Sequence, residues 1–415
     1  MKRCIFLIVI ALFSIHVIAQ EKFIIEGRII DKETKTPLVY ASIIFSDKSL
    51  GTTTDENGNF TFPLFDTKLS DSISITYMGY KPIKLTVAES MKLKEFELIQ
   101  DAFELNEVVI NTENINLKQL IKETVKSYNK NRREQPHIAI AHYREKAKKD
   151  HEYIMYMESI GYSIYAGTMK DATLLSNYKF FCENTKAYVS NSEWKQYKSL
   201  PYELPAPSGG ANLNIFRYIE LYGLLSEKHY RGYSYKIDST YLFNNNIVYS
   251  IRFKGDIAEG TIHIFKESKE IFKIECTTNK YWSRAFHKLL TAKVRIAFNY
   301  FENTPFVSSI NAHYENQNLL YQNDLEILVQ KFQKFSLNEN EYWSLNNYDG
   351  NPYIQYDPQE WRDLGITKDK DHEKIESDIP SLEKEFQDYS GRWFFVNAQR
   401  EEIARTVIRR LKENF

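Results

Sequence analysis

Over its first quarter the chain alternates apolar and polar positions with a period of two. Phe23 to Asp31 reads as one strand, and Leu38 to Phe45 as a second with Ala41, Ile43 and Phe45 on one side. Thr52 to Thr54 lead into a polar turn, Asp55-Glu56-Asn57-Gly58-Asn59. After it Phe60 and Phe62, then Ile73, Ile75 and Tyr77, repeat the alternation up to a second turn at Gly79 and Pro82. Ile83, Leu85 and Val87 continue it, followed by Phe96 and Leu98 and by Leu105 to Ile110. Short runs of period two punctuated by Gly and Pro predict antiparallel strands with one buried face, and six or seven of them predict a compact sandwich.

The period then changes. Ile115 to Asn129 places Leu117, Leu120, Ile121, Val125 and Tyr128 on one stripe of a helix, and the polar run up to Pro136 predicts its end. From His137 to Val329 the period of two returns in longer runs, as in a meander of hairpins. Ser199 to Leu213, rich in Pro, Gly and Ser, reads as a long loop within it. Near the C-terminus Glu383 to Tyr389 and Gln399 to Leu411 predict helices, the second with Ile403, Val407, Ile408 and Leu411 on one side. The expected fold is mainly β (α+β). Its divisions are a leader over 1–19, a β-sandwich over 20–111, a linking helix over 112–135, an antiparallel β domain over 136–335 and a mixed, helical region over 336–415.

Composition and the chain's termini sharpen this picture. The 29 Tyr and 26 Phe suit broad pleated surfaces. A formal charge of -1, with Lys and Arg spread along the chain, argues against a nucleic-acid partner. Met1-Lys2-Arg3 followed by the apolar run Ile5 to Ile18 and by Ala19 predicts a cleaved secretory signal, since the run falls short of the roughly 20 residues of a spanning helix. An exported protein can oxidise its thiols, so Cys182 and Cys276 are open to a disulfide. Each also lies in an apolar strand-like run, where a free thiol packs well. Phe415 occupies the place of the last residue of an outer-membrane barrel strand, but the charged, non-alternating residues before it exclude that fold.

Five blocks in order carry a family resemblance. They are I-x-G-x-I-x-D (Ile25 to Asp31), P-L-x-x-A-S-I (Pro37 to Ile43), G-T-x-T-D-E-N-G-N-F (Gly51 to Phe60), I-T-Y-M-G-Y-K-P (Ile75 to Pro82) and L-N-E-V-V-I. Together, over about residues 23 to 111, they resemble the carboxypeptidase-regulatory-like domain, which implies a transthyretin-like (prealbumin-like) sandwich. Such domains stand at the N-terminus of many exported proteins of gram-negative envelopes, TonB-dependent receptors included, and follow the catalytic domain of some zinc carboxypeptidases. The chain departs from the receptor pattern after Ile110, where a helix and about 300 residues replace plug and barrel. The run G-T-I-H-I-F followed by I-F-K-I-E-C resembles curved antiparallel sheets of exported proteins that handle lipids or lipoproteins.

His142-x-x-Glu145 with His263 matches the ligand types of a zinc carboxypeptidase, an H-x-x-E pair and a distant His. The surrounding meander of β-strands does not suit that enzyme's α/β fold, and its other catalytic residues are not found in order, so the set is weighed and rejected as a metal site. Asp55 to Gly58 lacks the further carboxylates of a calcium loop and reads as a hairpin turn. Ser208-Gly209-Gly210 has no following Lys, so it is no phosphate loop, and no G-x-S-x-G elbow exists. No catalytic residue and no cofactor is expected. Trp194, Tyr197 and Tyr202 flank the long loop and are the expected contact surface. The sequence thus points to a non-catalytic binding or assembly component of the cell envelope, periplasmic or associated with the outer membrane. Its partner would be an envelope protein or a glycan or lipid ligand. The alternatives are a zinc-dependent, metallocarboxypeptidase-like hydrolase and an accessory carrier of a hydrophobic ligand.

Overall fold

The computed structural model describes residues 22–38, 41–45, 51–54, 57–65, 67–77, 80–100, 115–133, 136–167, 178–189, 216, 218–220, 222–243, 246–283, 288–301, 304–316, 319–346, 372–379 and 398–413. The leader, Leu105 to Ile110 and Glu383 to Tyr389 lie outside these. The protein is mainly β.

Its N-terminal strands are β1 (Lys22–Asp31), β2 (Ser42–Phe45), β3 (Gly51–Thr53), β4 (Asn59–Phe65), β5 (Ser72–Thr76), β6 (Ile83–Thr86) and, after a short helix α1 (Val87–Ser90), β7 (Glu95–Leu98). They form two sheets, ordered β4-β1-β7 and β3-β2-β5-β6. The alternation sorts Ile25, Ile29, Ile43, Phe45, Phe60, Phe62, Ile73, Ile75, Phe96 and Leu98 into one buried cluster between them. The ring of Phe60 sits 5.2 Å from that of Phe96. The turn before β4 needs glycine at residue 58: φ is +76°, and a Cβ there would come 2.5 Å from the Ile29 carbonyl oxygen. Gly58 also accepts the Ile29 N–H at 2.7 Å, which pins the turn to β1.

Val87 corrects the sequence expectation. It is buried, but it opens α1 instead of ending a strand, because Thr86 and Glu89 form a capping box. The Thr86 hydroxyl accepts the Glu89 N–H at 3.2 Å, and the Glu89 carboxylate accepts the Thr86 N–H at 2.8 Å.

The helix α2 (Leu117–Arg133) carries the expected stripe but runs through the polar stretch that was expected to end it. Ten long strands follow: β8 (His137–Lys149), β9 (Glu152–Tyr165), β10 (Tyr178–Val189), β11 (Ser234–Phe243), β12 (Asn246–Lys254), β13 (Ala258–Phe265), β14 (Ile271–Ser283), β15 (Lys288–Phe301), β16 (Thr304–Asn316) and β17 (Leu319–Lys334). They make one antiparallel sheet, β10-β9-β8-β17-β16-β15-β14-β13-β12-β11. Two meanders, of three and seven strands, meet where β8 pairs with β17, and the connection over residues 190–233 joins opposite edges.

One face of this sheet is apolar. Tyr143 of β8, Ile251 of β12, Ile274 of β14, Ile296 of β15 and Ile310 of β16 belong to a single buried cluster with Ile121 and Val125 of α2. Phe216, Ile219, Leu224 and Leu225, from the end of the edge-to-edge connection, add to the cover. The Asn129 side-chain amide ties helix to connection, donating to the Val125 and Leu225 carbonyls at 2.8 and 2.9 Å.

The opposite face is mixed. At its β8–β9 end it is covered by α3 (Glu339–Asn346), α4 (His372–Asp378) and α5 (Ala398–Glu413). Val407, Ile408 and Leu411 of α5 pack with Tyr342 and Leu345 of α3 on Ile138 and Ile164. Ile375 of α4 joins Tyr153 and Tyr156. Neither α3 nor α4 was expected. Away from these helices, over β13 to β16, the same face carries charged residues.

Candidate functional site

In a strand, residues three apart point to opposite faces. His142 accordingly lies on the mixed face of β8 and Glu145 on the apolar face, where its carboxylate accepts the Tyr143 hydroxyl at 3.0 Å. His263 lies on β13, five strand spacings away, about 24 Å along the sheet. The three do not converge on one point. Among the described residues no three His, Cys, Asp or Glu side chains form a metal-sized group. Trp194, Tyr197 and Tyr202 lie outside the described residues. Cys276 is a buried free thiol, so the disulfide reading does not hold for it. Burial pushes that thiol up to about 12.

His142 instead enters a buried ion cluster. Its Nε2 hydrogen-bonds the Glu158 carboxylate at 2.8 Å, and Arg144 donates to the same oxygen at 2.6 Å. The Tyr156 hydroxyl donates to the other oxygen at 2.8 Å. Burial alone would raise the Glu158 pKa, but Arg144 and His142 outweigh it and hold the carboxyl well below the usual range.

A second cluster lies where the mixed face is open. Cross-strand register sets two rows on it: Glu259, Thr277, Lys293 and His313, and one pleat along, Glu275, Arg295 and Asn311. These side chains line a trough of about 540 Å³ across β13 to β16, floored by the backbone at Gly260, Cys276 and Val294, with the Cys276 and Val294 side chains in the apolar layer beneath. Gly260 has no side chain because a Cβ there would come 2.1 Å from the Glu275 carbonyl oxygen. Beside the trough the Tyr241 hydroxyl and His263 Nδ1 share a hydrogen bond of 2.9 Å. Burial favours the neutral imidazole of His263.

The chemistry of this cluster is decided at Glu275. Its Oε1 accepts from Arg295 at 2.8 and 2.7 Å, its Oε2 lies 3.0 Å from the Lys273 ammonium, and His263 Nε2 stands 3.6 Å away. Burial works to raise its pKa, yet these neighbours hold it well below the carboxylate range. A carboxylate so fully engaged is a poor proton acceptor and no acid at neutral pH. Tyr77 of the N-terminal sandwich stands within electrostatic reach of Arg295 and Glu275.

Sequence reasoning singled out His263 but missed Glu275, Lys293, Arg295 and His313. Lys293 and Arg295 do stand two apart in A-K-V-R-I-A, a sign of one charged face. Only the register brings Glu275 and His313 to them.

No curated protein matches the chain. Among solved structures, it is similar to a DUF1329 family protein from Desulfovibrio piger at 7% identity and a TM-score of 0.28, covering 54% of this chain and 96% of that one. The Pseudomonas aeruginosa MucA/MucB complex gives 4% identity and a TM-score of 0.17, with 52% of this chain and 99% of that one covered. Overlaps this slight carry no functional argument. Residues 25–110 match the CarboxypepD_reg-like domain family, the domain that the five sequence blocks implied.

Proposed function

We propose that this protein is a non-catalytic binding or assembly component of the cell envelope, exported to the periplasm or the periplasmic side of the outer membrane. The observation that carries this reading is the state of the polar cluster beside the trough. Glu275 is engaged on both oxygens by Arg295 and Lys273, an arrangement that holds a surface in shape and makes this carboxylate a poor general base. The leader-like N-terminus and the CarboxypepD_reg-like domain support export. No helix among the described residues is long and apolar enough to cross a membrane. Its partner is an envelope protein or a glycan or lipid.

The test is fractionation of cells carrying the tagged full chain, followed by crosslinking and identification of what is joined to it. Recovery with the envelope fraction and one reproducible crosslinked partner is the expected result. Cytosolic recovery, or turnover by the purified protein against a panel of peptide and ester substrates, would overturn the reading.

A second reading is carriage of a hydrophobic ligand on the apolar face. It is favoured by the breadth of that face, which runs across the sheet beneath α2. Organic extraction of the purified protein, yielding about one lipid per chain, would move it ahead.

A further inference from the structure

We propose that the trough over β13 to β16 is an oxyanion-binding site, taking a carboxylate or phosphate group between Lys293, His313 and Thr277. The inference deepens the binding reading and rests on it in one respect, that this face holds a ligand without converting it.

Three observations converge. The first is charge. Two carboxylates, Glu259 and Glu275, meet four cations in and beside the trough, Lys254, Lys273, Lys293 and Arg295. Glu259 pairs with Lys254 at 3.1 Å, and Glu275 pairs with both Lys273 and Arg295, which leaves Lys293 with no ion pair among the described residues. The second is register. Lys293 stands directly opposite His313 on one side and Thr277 on the other. Directly opposed residues have their Cβ atoms about 4.5–5.5 Å apart, so an ammonium, an imidazole and a hydroxyl line one short row. An exposed lysine facing an imidazole gains nothing from that neighbour, and an anion between them satisfies both. The third is an orphan. His313 Nε2 is shielded from solvent and has no hydrogen-bond partner among the described residues, although its side chain lines the trough. A ring nitrogen without a partner is costly, and a turn of the ring toward the trough that meets a ligand oxygen removes that cost.

Glu275 then has a defined part. By holding Arg295 and Lys273 in place it fixes the positive wall of the trough, and it does so one pleat away from the row that would meet the ligand. Acting through these cations, it is a positioning residue.

The experiment uses the full-length mature chain, titrated calorimetrically with inorganic phosphate and, separately, with succinate, at fixed ionic strength with chloride as the counterion. Saturable binding of one anion per chain is expected. Lys293→Gln and His313→Gln should each weaken it by about tenfold or more, while Lys84→Gln, an exposed lysine of the sandwich, leaves it unchanged. Phosphate alone binding assigns the site to phosphoryl groups, and succinate alone assigns it to carboxylates; either supports the site. No saturable uptake of either anion up to about 10 mM overturns it, as does uptake that Lys293→Gln and His313→Gln both leave intact. Thermal melts of these variants establish that they are folded. Conversion of an added phosphate or carboxylate ester with anion binding intact would sink the non-catalytic reading and leave the site standing.

Discussion

The two faces of the ten-stranded sheet are built from the same strands, one residue out of phase, and they solve different problems. On one, Ile251, Ile274, Ile296 and Ile310 meet the stripe of α2, and stability comes from area removed from water. On the other, Glu158 and Glu275 each gather cations around a single carboxylate. These two clusters differ in turn. The first is sealed beneath the C-terminal helices, while the second borders an open trough. The open trough is where a ligand has room.

The sharpest way to break this comparison is at the sealed cluster. Glu158→Ala removes the buried carboxylate that His142, Arg144 and Tyr156 share and should cost about 3–5 kcal/mol, read from denaturant unfolding. If the variant melts like the parent, the cluster is not buried as described. The pH dependence has a definite sign. Because the folded carboxyl is held below its unfolded value of about 4.3, its contribution is complete above that pH and is lost as pH falls through and below it. Glu158→Gln should flatten the acid limb of the stability curve.

The apolar face has a chemical probe of comparable size. With its thiol raised from 9.0 to about 12, Cys276 should form about a thousandfold less thiolate than an ordinary cysteine and resist maleimide until the chain unfolds. Rapid native labelling at Cys276, located by mass spectrometry, would mean that the face opens. Next in size is Ile121→Ala in α2, fully buried, which should cost about 2–4 kcal/mol; a loss below 1 kcal/mol would make the helix a loose lid. Smallest is Lys293→Ala on the open face, expected within about 0.5 kcal/mol of the parent. A larger loss there would show that the trough is structural.

Much of the architecture could be read from the residues. Phe60 and Phe62, Ile73 and Ile75, and the stripe from Leu120 to Tyr128 all lie where their spacing put them, because one-sided burial leaves a clear period. The departures have local causes. Thr86-x-x-Glu89 is a capping box, and it overrode the alternation that ran into Val87. Glu339–Asn346 forms a helix without a strong apolar stripe, since among its described side chains Tyr342, Ser344 and Leu345 are the buried ones. The charged trough was harder still. Glu275, Arg295 and Asn311 are neighbours only through register, and a slip of a single residue on β15 would turn Arg295 into the apolar layer. Pattern gives each strand its faces; it does not give the partner across the ladder.

The join between β8 and β17 carries a consequence for how the molecule is made. Lys149 and Leu319, ladder partners, are separated by about 170 residues, so the seam between the two meanders closes only once the chain has been made as far as β17. A nascent molecule emerging from its N-terminus would expose one long margin of β8 until the last strand arrives. Whatever receives this chain in transit must shield that margin from its neighbours, or the half-built sheet will pair with another copy first.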